Sequence, residues 1–226
     1  MKPIAYALVA VVAATAGFVV YRHGMAPAAQ LEHTAPDVAA SEGVSTAVAT
    51  DESPVATELP DFSLHDRDGK LTSIRSWPGK SMIVNFWATW CAPCRREIPL
   101  LQEIQKTHGA AGVQVVGVAV DFRDDVLKYS KEIGIGYPVL IGEEDGYQAI
   151  NSFGLGSLGL PFTVFTDNQG RIVLTHLGEL TKPESVVMLD VVQRVNKGEL
   201  TPAAARSVAA RQLEKTGAAQ PASPPG

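Results

Sequence analysis

Cys91 and Cys94 are the only cysteines in the chain, and they stand three residues apart in Trp90-Cys-Ala-Pro-Cys94. On a helix that spacing puts the two Cα atoms about 5–6 Å apart, within the range a disulfide tolerates. Such a pair can open and close a bond without moving the backbone. An apolar run precedes the motif and a helical pattern follows it. Cys91 therefore falls at a helix N-terminus, where unpaired N–H groups and the positive dipole end favour a thiolate. The thiolate is the attacking species in disulfide exchange. Cys91 is thus the expected nucleophile, and Cys94, one turn deeper, the resolving thiol. Pro93 suits the first helical turn, where no amide bond is lost. Pro99 lies further in and is expected to kink the helix.

Two other uses of the pair compete. A structural bridge is common in exported proteins, but one closing so short a loop gains little. A metal site needs about four ligands, and His65, His108 and His176 are scattered with no second cysteine pair. The strand before the motif, the helix after it and the adjacent Trp90 favour redox use, with no cofactor beyond the dithiol itself.

The flanking segments set the context. Ile4 to Tyr21 is an uncharged, largely apolar run between Lys2 and Arg22. Eighteen helical residues span roughly 27 Å, close to the hydrocarbon thickness of a bilayer. Residues 1–25 read as a signal anchor or a cleaved signal peptide, with Ala26-Pro-Ala28 as the small-residue cleavage pattern. Either reading exports the rest of the chain. Residues 26–58 carry six acidic side chains and no Lys or Arg, as expected of a flexible acidic linker. Nineteen basic against 24 acidic residues over 226 positions disfavour a nucleic-acid binder. Residues 199–226 read as a tail, with an Ala-rich helix to 216 and a Pro-rich disordered end.

The folded unit is expected over 59–198. Leu59 to Ile74 reads as a hairpin around Asp66-Arg-Asp-Gly69. Met82 to Trp87 and Val113 to Val120 are nearly continuous apolar runs, as in buried parallel strands. Helices are expected over 92–107, 123–133, 146–153 and 183–195, and strands over 139–141, 162–166 and 171–177. The order is βαβ, an α-β-α insert, then ββα. This is an α/β sandwich with a mixed sheet flanked by helices. Gly154-Leu-Gly-Ser-Leu-Gly159 matches a dinucleotide-binding pattern but precedes a strand rather than opening a helix, so it reads as a loop. His176 reads as a half-exposed surface residue.

The segment Val84-Asn-Phe-Trp-Ala-Thr-Trp-Cys-Ala-Pro-Cys-Arg-Arg-Glu-Ile-Pro99 resembles the active-site stretch of TlpA/ResA-like thioredoxins. The similarity extends to Leu59-Pro-Asp-Phe-Ser-Leu-His and to Gly159-Leu-Pro-Phe-Thr-Val-Phe, and covers about 59–195. The resemblance implies a thioredoxin-like fold and an exported, membrane-tethered thiol–disulfide oxidoreductase on the periplasmic face of the inner membrane. It implies exported proteins with disulfides as substrates, cytochrome c or copper-centre assembly factors among them, and a membrane thiol reductant as electron donor. It makes Pro161 the family's cis-proline, with Leu160 offering backbone to a substrate, so Trp90, Pro93, Leu160 and Pro161 form the expected docking set. Trp90 is otherwise read as ordinary packing. Glu97 matches an acidic position that would relay a proton to the buried thiol, the bland alternative being a glutamate favoured by the helix dipole. Asn85 stands where many thioredoxins carry a buried Asp, and an amide exchanges no proton near neutral pH. Two rival functions are a thiol-based copper-delivery protein, since Cu(I) favours thiolates, and a peroxidase of the related peroxiredoxin branch. The first lacks the longer cysteine spacing and matching His, and the second lacks the Pro/Thr context of its attacking cysteine.

Overall fold

The computed structural model describes residues 55–154 and 159–216. The apolar run at 4–21, most of the linker, four residues of the glycine-rich loop and the last ten residues lie outside them. Among the described residues no helix is long and apolar enough to cross a membrane.

Seven strands form one mixed sheet: β1 (Ser63–Asp66), β2 (Leu71–Ser73), β3 (Ser81–Trp87), β4 (Val113–Val120), β5 (Val139–Gly142), β6 (Phe162–Thr166) and β7 (Ile172–Leu177). Their spatial order is β2-β1-β5-β4-β3-β6-β7. The three central strands β5, β4 and β3 are parallel, while β1, β6 and β7 run against their neighbours. Five helices complete the fold: α1 (Ala92–His108), α2 (Arg123–Glu132), α3 (Glu144–Asn151), α4 (Lys182–Asn196) and α5 (Pro202–Thr216).

The continuous apolar runs of β3 and β4 follow from burial on both faces. Side chains alternate across a strand, so β3 splits its residues between two cores. Met82, Val84 and Phe86 join Leu59, Ile74, Phe153 and Phe162 on one side. Ile83 and Trp87 join Ile98, Leu101 and Ile104 of α1, together with Val187 and Val191 of α4, on the other. Asn85 lies between Ile83 and Trp87 in this alternation, so a polar side chain is placed in the layer that faces α1. Helix α1 runs through Pro99, which lies on its exposed side.

Both ends of the folded unit differ from the sequence expectation. The linker reading extends to 58, yet the Ala56 N–H donates to the Phe153 carbonyl and Ile172 N–H to the Thr57 carbonyl, pinning residues 56–58. Beyond 198, α5 packs onto the domain, with Ala205 and Ala209 buried in the α1-side core. Its Arg206 donates to the carbonyls of Ile172 and Val173 on β7, which covers part of an edge strand. Small residues at a four-residue spacing let the helix approach closely, a contact that local periodicity does not announce.

Candidate active site

Strand β3 ends at Trp87 and the chain turns through Ala88–Trp90 into α1. This turn is held from the neighbouring strand. Asp121, at the end of β4, accepts from the Thr89 N–H through Oδ2 and from the Phe122 N–H through Oδ1, each at 2.8 Å. Cys91 is the N-cap of α1 in extended conformation, and its Sγ accepts from the Cys94 N–H at 3.3 Å. The sulfur expected to attack therefore occupies the capping position, where it meets the orphan amides of the first turn. Pro93 stands in that same turn and is half-buried.

Cys91 and Cys94 are joined in a disulfide with an S–S distance of 1.97 Å and a Cα–Cα distance of 5.3 Å. The separation agrees with the helical spacing. Cys94 is fully buried, while Cys91 retains 5% of its surface and is the less enclosed of the two. Trp90 is 64% exposed beside it. That exposure removes ordinary core packing as its explanation.

The peptide bond between Leu160 and Pro161 is cis. Phe162 pairs with Phe86 in the register of β6 and β3, which puts Pro161 beside the end of β3 from which the chain runs into Cys91. The Gly178 N–H donates to the Pro161 carbonyl at 2.8 Å. Leu160 is half-buried and packs against both cores.

Glu97 lies one turn beyond Cys94 on the buried side of α1 and is 1% exposed. Its Oε1 accepts from Asn85 Nδ2 and its Oε2 from the Leu180 N–H, both at 2.7 Å. Neither donor carries charge. Leu180 precedes Thr181, the N-cap of α4, whose start is fixed by a capping box between Thr181 and Glu184. Burial dominates and pushes the Glu97 carboxyl up to about 7, against the two hydrogen bonds that favour its ionised form. The nearby charges of Glu179 and Glu184 push the same way as burial. Asn85 donates its second amide hydrogen to Thr163 Oγ1 at 2.9 Å.

The structure thus brings Glu97 beside Asn85, Thr163 and the Leu180 amide. The last two were missed by reading the sequence. Thr163 stands two residues beyond Pro161 in β6, which is its only sequence signal, and a backbone N–H carries none. His65, His108 and His176 do not converge. His176 is half-buried, with Nε2 3.3 Å from the Glu179 carbonyl. Among the described residues no group of three or more His, Cys, Asp or Glu side chains is arranged to hold a metal ion.

A redox disulfide capping the helix that follows a central parallel strand, with a cis-proline on the adjacent strand, defines a thioredoxin-like thiol–disulfide oxidoreductase. The chain belongs to the AhpC/TSA family, whose model matches residues 55–175. Within it the relatives are of the TlpA/ResA type. The thiol-disulfide oxidoreductase ResA of Geobacillus thermodenitrificans strain NG80-2 is 34% identical over 131 residues, covering 58% of this chain and 73% of the relative. The thioredoxin-like protein YneN of Bacillus subtilis strain 168 is 32% identical over 140 residues, covering 59% and 78%. A thioredoxin-family thiol:disulfide interchange protein from Chlorobium tepidum TLS has a similar structure, with 39% identity, a TM-score of 0.51 and coverage of 56% of this chain and 89% of its own. A secreted thiol-disulfide isomerase from Corynebacterium glutamicum matches at 28% identity, with a TM-score of 0.55 and coverage of 62% and 85%.

Proposed function

We propose that this protein reduces disulfides of exported partner proteins, with Cys91 as nucleophile, Cys94 as resolving thiol and Glu97 as the group that takes the Cys94 proton. The observation that carries the reading is the arrangement of a helix-capping sulfur and, one turn past its bonded partner, a buried carboxyl that titrates near neutral pH.

The steps balance as follows. The Cys91 thiolate attacks one sulfur of the partner disulfide; that bond breaks, and the partner's other sulfur leaves as a thiolate that takes a proton from solvent. A mixed disulfide now joins Cys91 to the partner. Glu97 accepts the proton of the Cys94 thiol. The Cys94 thiolate attacks Cys91 Sγ, closing the Cys91–Cys94 bond and releasing the partner's remaining sulfur as a thiolate, which is protonated in turn. Two electrons have passed to the partner, and a membrane thiol reductant returns them. The exposed Trp90, the half-buried Pro93 and Leu160, and the backbone of the buried Pro161 form the docking rim assigned here around Cys91.

The apolar segment at 4–21 supports a place on the periplasmic face of the inner membrane, by an anchor or after leader cleavage. The TlpA/ResA resemblance supports cytochrome c or copper-centre assembly factors as the partners. The expected outcome for a Cys94→Ser chain is accumulation of mixed disulfides through Cys91, resolved by mass spectrometry after acid quenching. Accumulation in Cys91→Ser instead would reverse the two roles. A midpoint potential near the thioredoxin value of roughly −270 mV supports reduction, and one near about −120 mV overturns it in favour of oxidation.

A further inference from the structure

Asn85 is fully buried in the middle of β3, directly opposite Thr163 in the antiparallel register with β6. Both of its amide hydrogens are used, one on Glu97 Oε1 and one on Thr163 Oγ1, while Oδ1 has no partner. An unpaired buried acceptor is costly, and an apolar side chain of the same size would avoid the cost. The two partners share a property. A carboxyl and a hydroxyl can each either accept or donate, depending on where their protons sit.

With Nδ2 toward them, the amide suits an ionised Glu97, which only accepts. Once Glu97 carries a proton, the same amide would meet an O–H. The Leu180 N–H on Oε2 cannot reverse its role, so of the two contacts only the one at Oε1, which Asn85 faces, can change direction when the carboxyl gains a proton. A half-turn of the amide exchanges Nδ2 for Oδ1. Oδ1 then accepts from Glu97 Oε1–H and from Thr163 Oγ1–H, and the retained Glu97 contact offsets the cost of turning the two Nδ2 hydrogens to the side where Oδ1 had no partner. The oxygen that is idle in one protonation state is the working atom of the other.

We infer that Asn85 is a positioning residue for the proton transfer, an amide that turns over as Glu97 gains or loses its proton and keeps the carboxyl aimed in both states. This rests on the reading of Glu97 as the acceptor of the Cys94 proton. It also ties the carboxyl to β6, the strand that directly follows Pro161, because Thr163 shares the amide.

The other charged or titratable groups near Glu97 are Arg96, Glu179, Glu184 and Tyr137. Arg96, its neighbour on α1, is paired with Glu179 between β7 and α4. Glu184 in the first turn of α4 is bonded to Thr181. Tyr137, ahead of β5, has its phenol pushed well above the usual range, first by burial and then by the Glu97 charge. None of these groups hydrogen-bonds to the Asn85 amide.

The test follows the Asn85 side-chain amide by nuclear magnetic resonance in the full-length oxidised protein. Its nitrogen and proton shifts should move with a midpoint at the Glu97 titration, about pH 7, and Glu97→Gln should flatten them. Amide shifts that stay flat while the Glu97 carboxyl carbon titrates overturn the inference, and need no variant at Asn85. In exchange kinetics, Asn85→Leu should slow reduction at neutral pH by about tenfold and move the rate inflection to higher pH, since a donor to the ionised form is lost. An Asn85→Leu inflection equal to the wild type's, with Glu97→Gln altered, removes the amide's role and leaves the Glu97 reading standing. A Glu97→Gln profile equal to the wild type's removes the Glu97 reading itself.

Discussion

Two buried carboxylates in this domain are held in opposite ways. Asp167, at the turn between β6 and β7, is fully buried and accepts from the N–H groups of Gln169 and Arg171 at 2.9 Å each. Its other oxygen takes the Arg171 guanidinium at 2.6 Å. Glu97 is buried as deeply but receives only neutral donors, with two further acidic groups nearby. A cation closes the first site into a hairpin clamp. Without one, the second site is left with a carboxyl whose proton is exchangeable near pH 7. A buried carboxylate is therefore a weak signal of chemistry by itself. What separates these two is that the hydrogen bonds of Asp167 come with a compensating charge, while those of Glu97 come with further acidic groups instead.

The two carboxylates differ most in what they do to the pH dependence of stability. Glu97 ionises near 4.5 when exposed and near 7 in the fold. Between those values the unfolded chain has lost a proton that the native chain keeps, so stability falls as pH rises through this window and is level above it. The loss from this group is roughly 3 kcal/mol in the oxidised protein. Urea unfolding across that window, for the wild type against Glu97→Gln, should show the excess slope only in the wild type; equal slopes would sink the contrast with Asp167.

Asp167→Asn probes the charge-paired carboxylate. It removes the charge-assisted contact and should cost about 2 kcal/mol, moderated because Arg171 is partly exposed. The pH profile of disulfide exchange should not move. A changed profile would place Asp167 in the chemistry as well.

The smallest effect is expected at Arg96. It bonds to Glu179 across the segment that delivers the Leu180 N–H, but its side chain is 60% exposed. Arg96→Ala should leave the urea midpoint essentially unchanged, as for other exposed pairs. A clear drop in the midpoint would mean the pair helps hold Leu180 over Glu97.

The order of elements and the dithiol were legible in the chain because both are local. Met82 to Trp87 reads as a buried strand since every residue in it is apolar except Asn85. The helix expected over 183–195 is α4, which starts one residue earlier, at Lys182. Boundaries moved by one or two residues at most strands and helices. The end of the domain was harder to place. Nothing in Ala203-Ala-Ala205 specifies whether a small-residue helix docks or stays in solvent, and only the surface of α4 and β7 decides it.

Cys91, Cys94 and the helix that caps on the first sulfur are set within a few residues, so covalent spacing and backbone geometry alone determine them. The setting of Glu97 is not local. Its donors lie 12 and 83 positions away, and Asn85 reaches Thr163 across 78. Those distances in sequence close only when β6 pairs with β3 and the β7–α4 segment crosses α1. The proton affinity of the carboxyl is the sum of that burial and those donors, and so is decided by the tertiary structure.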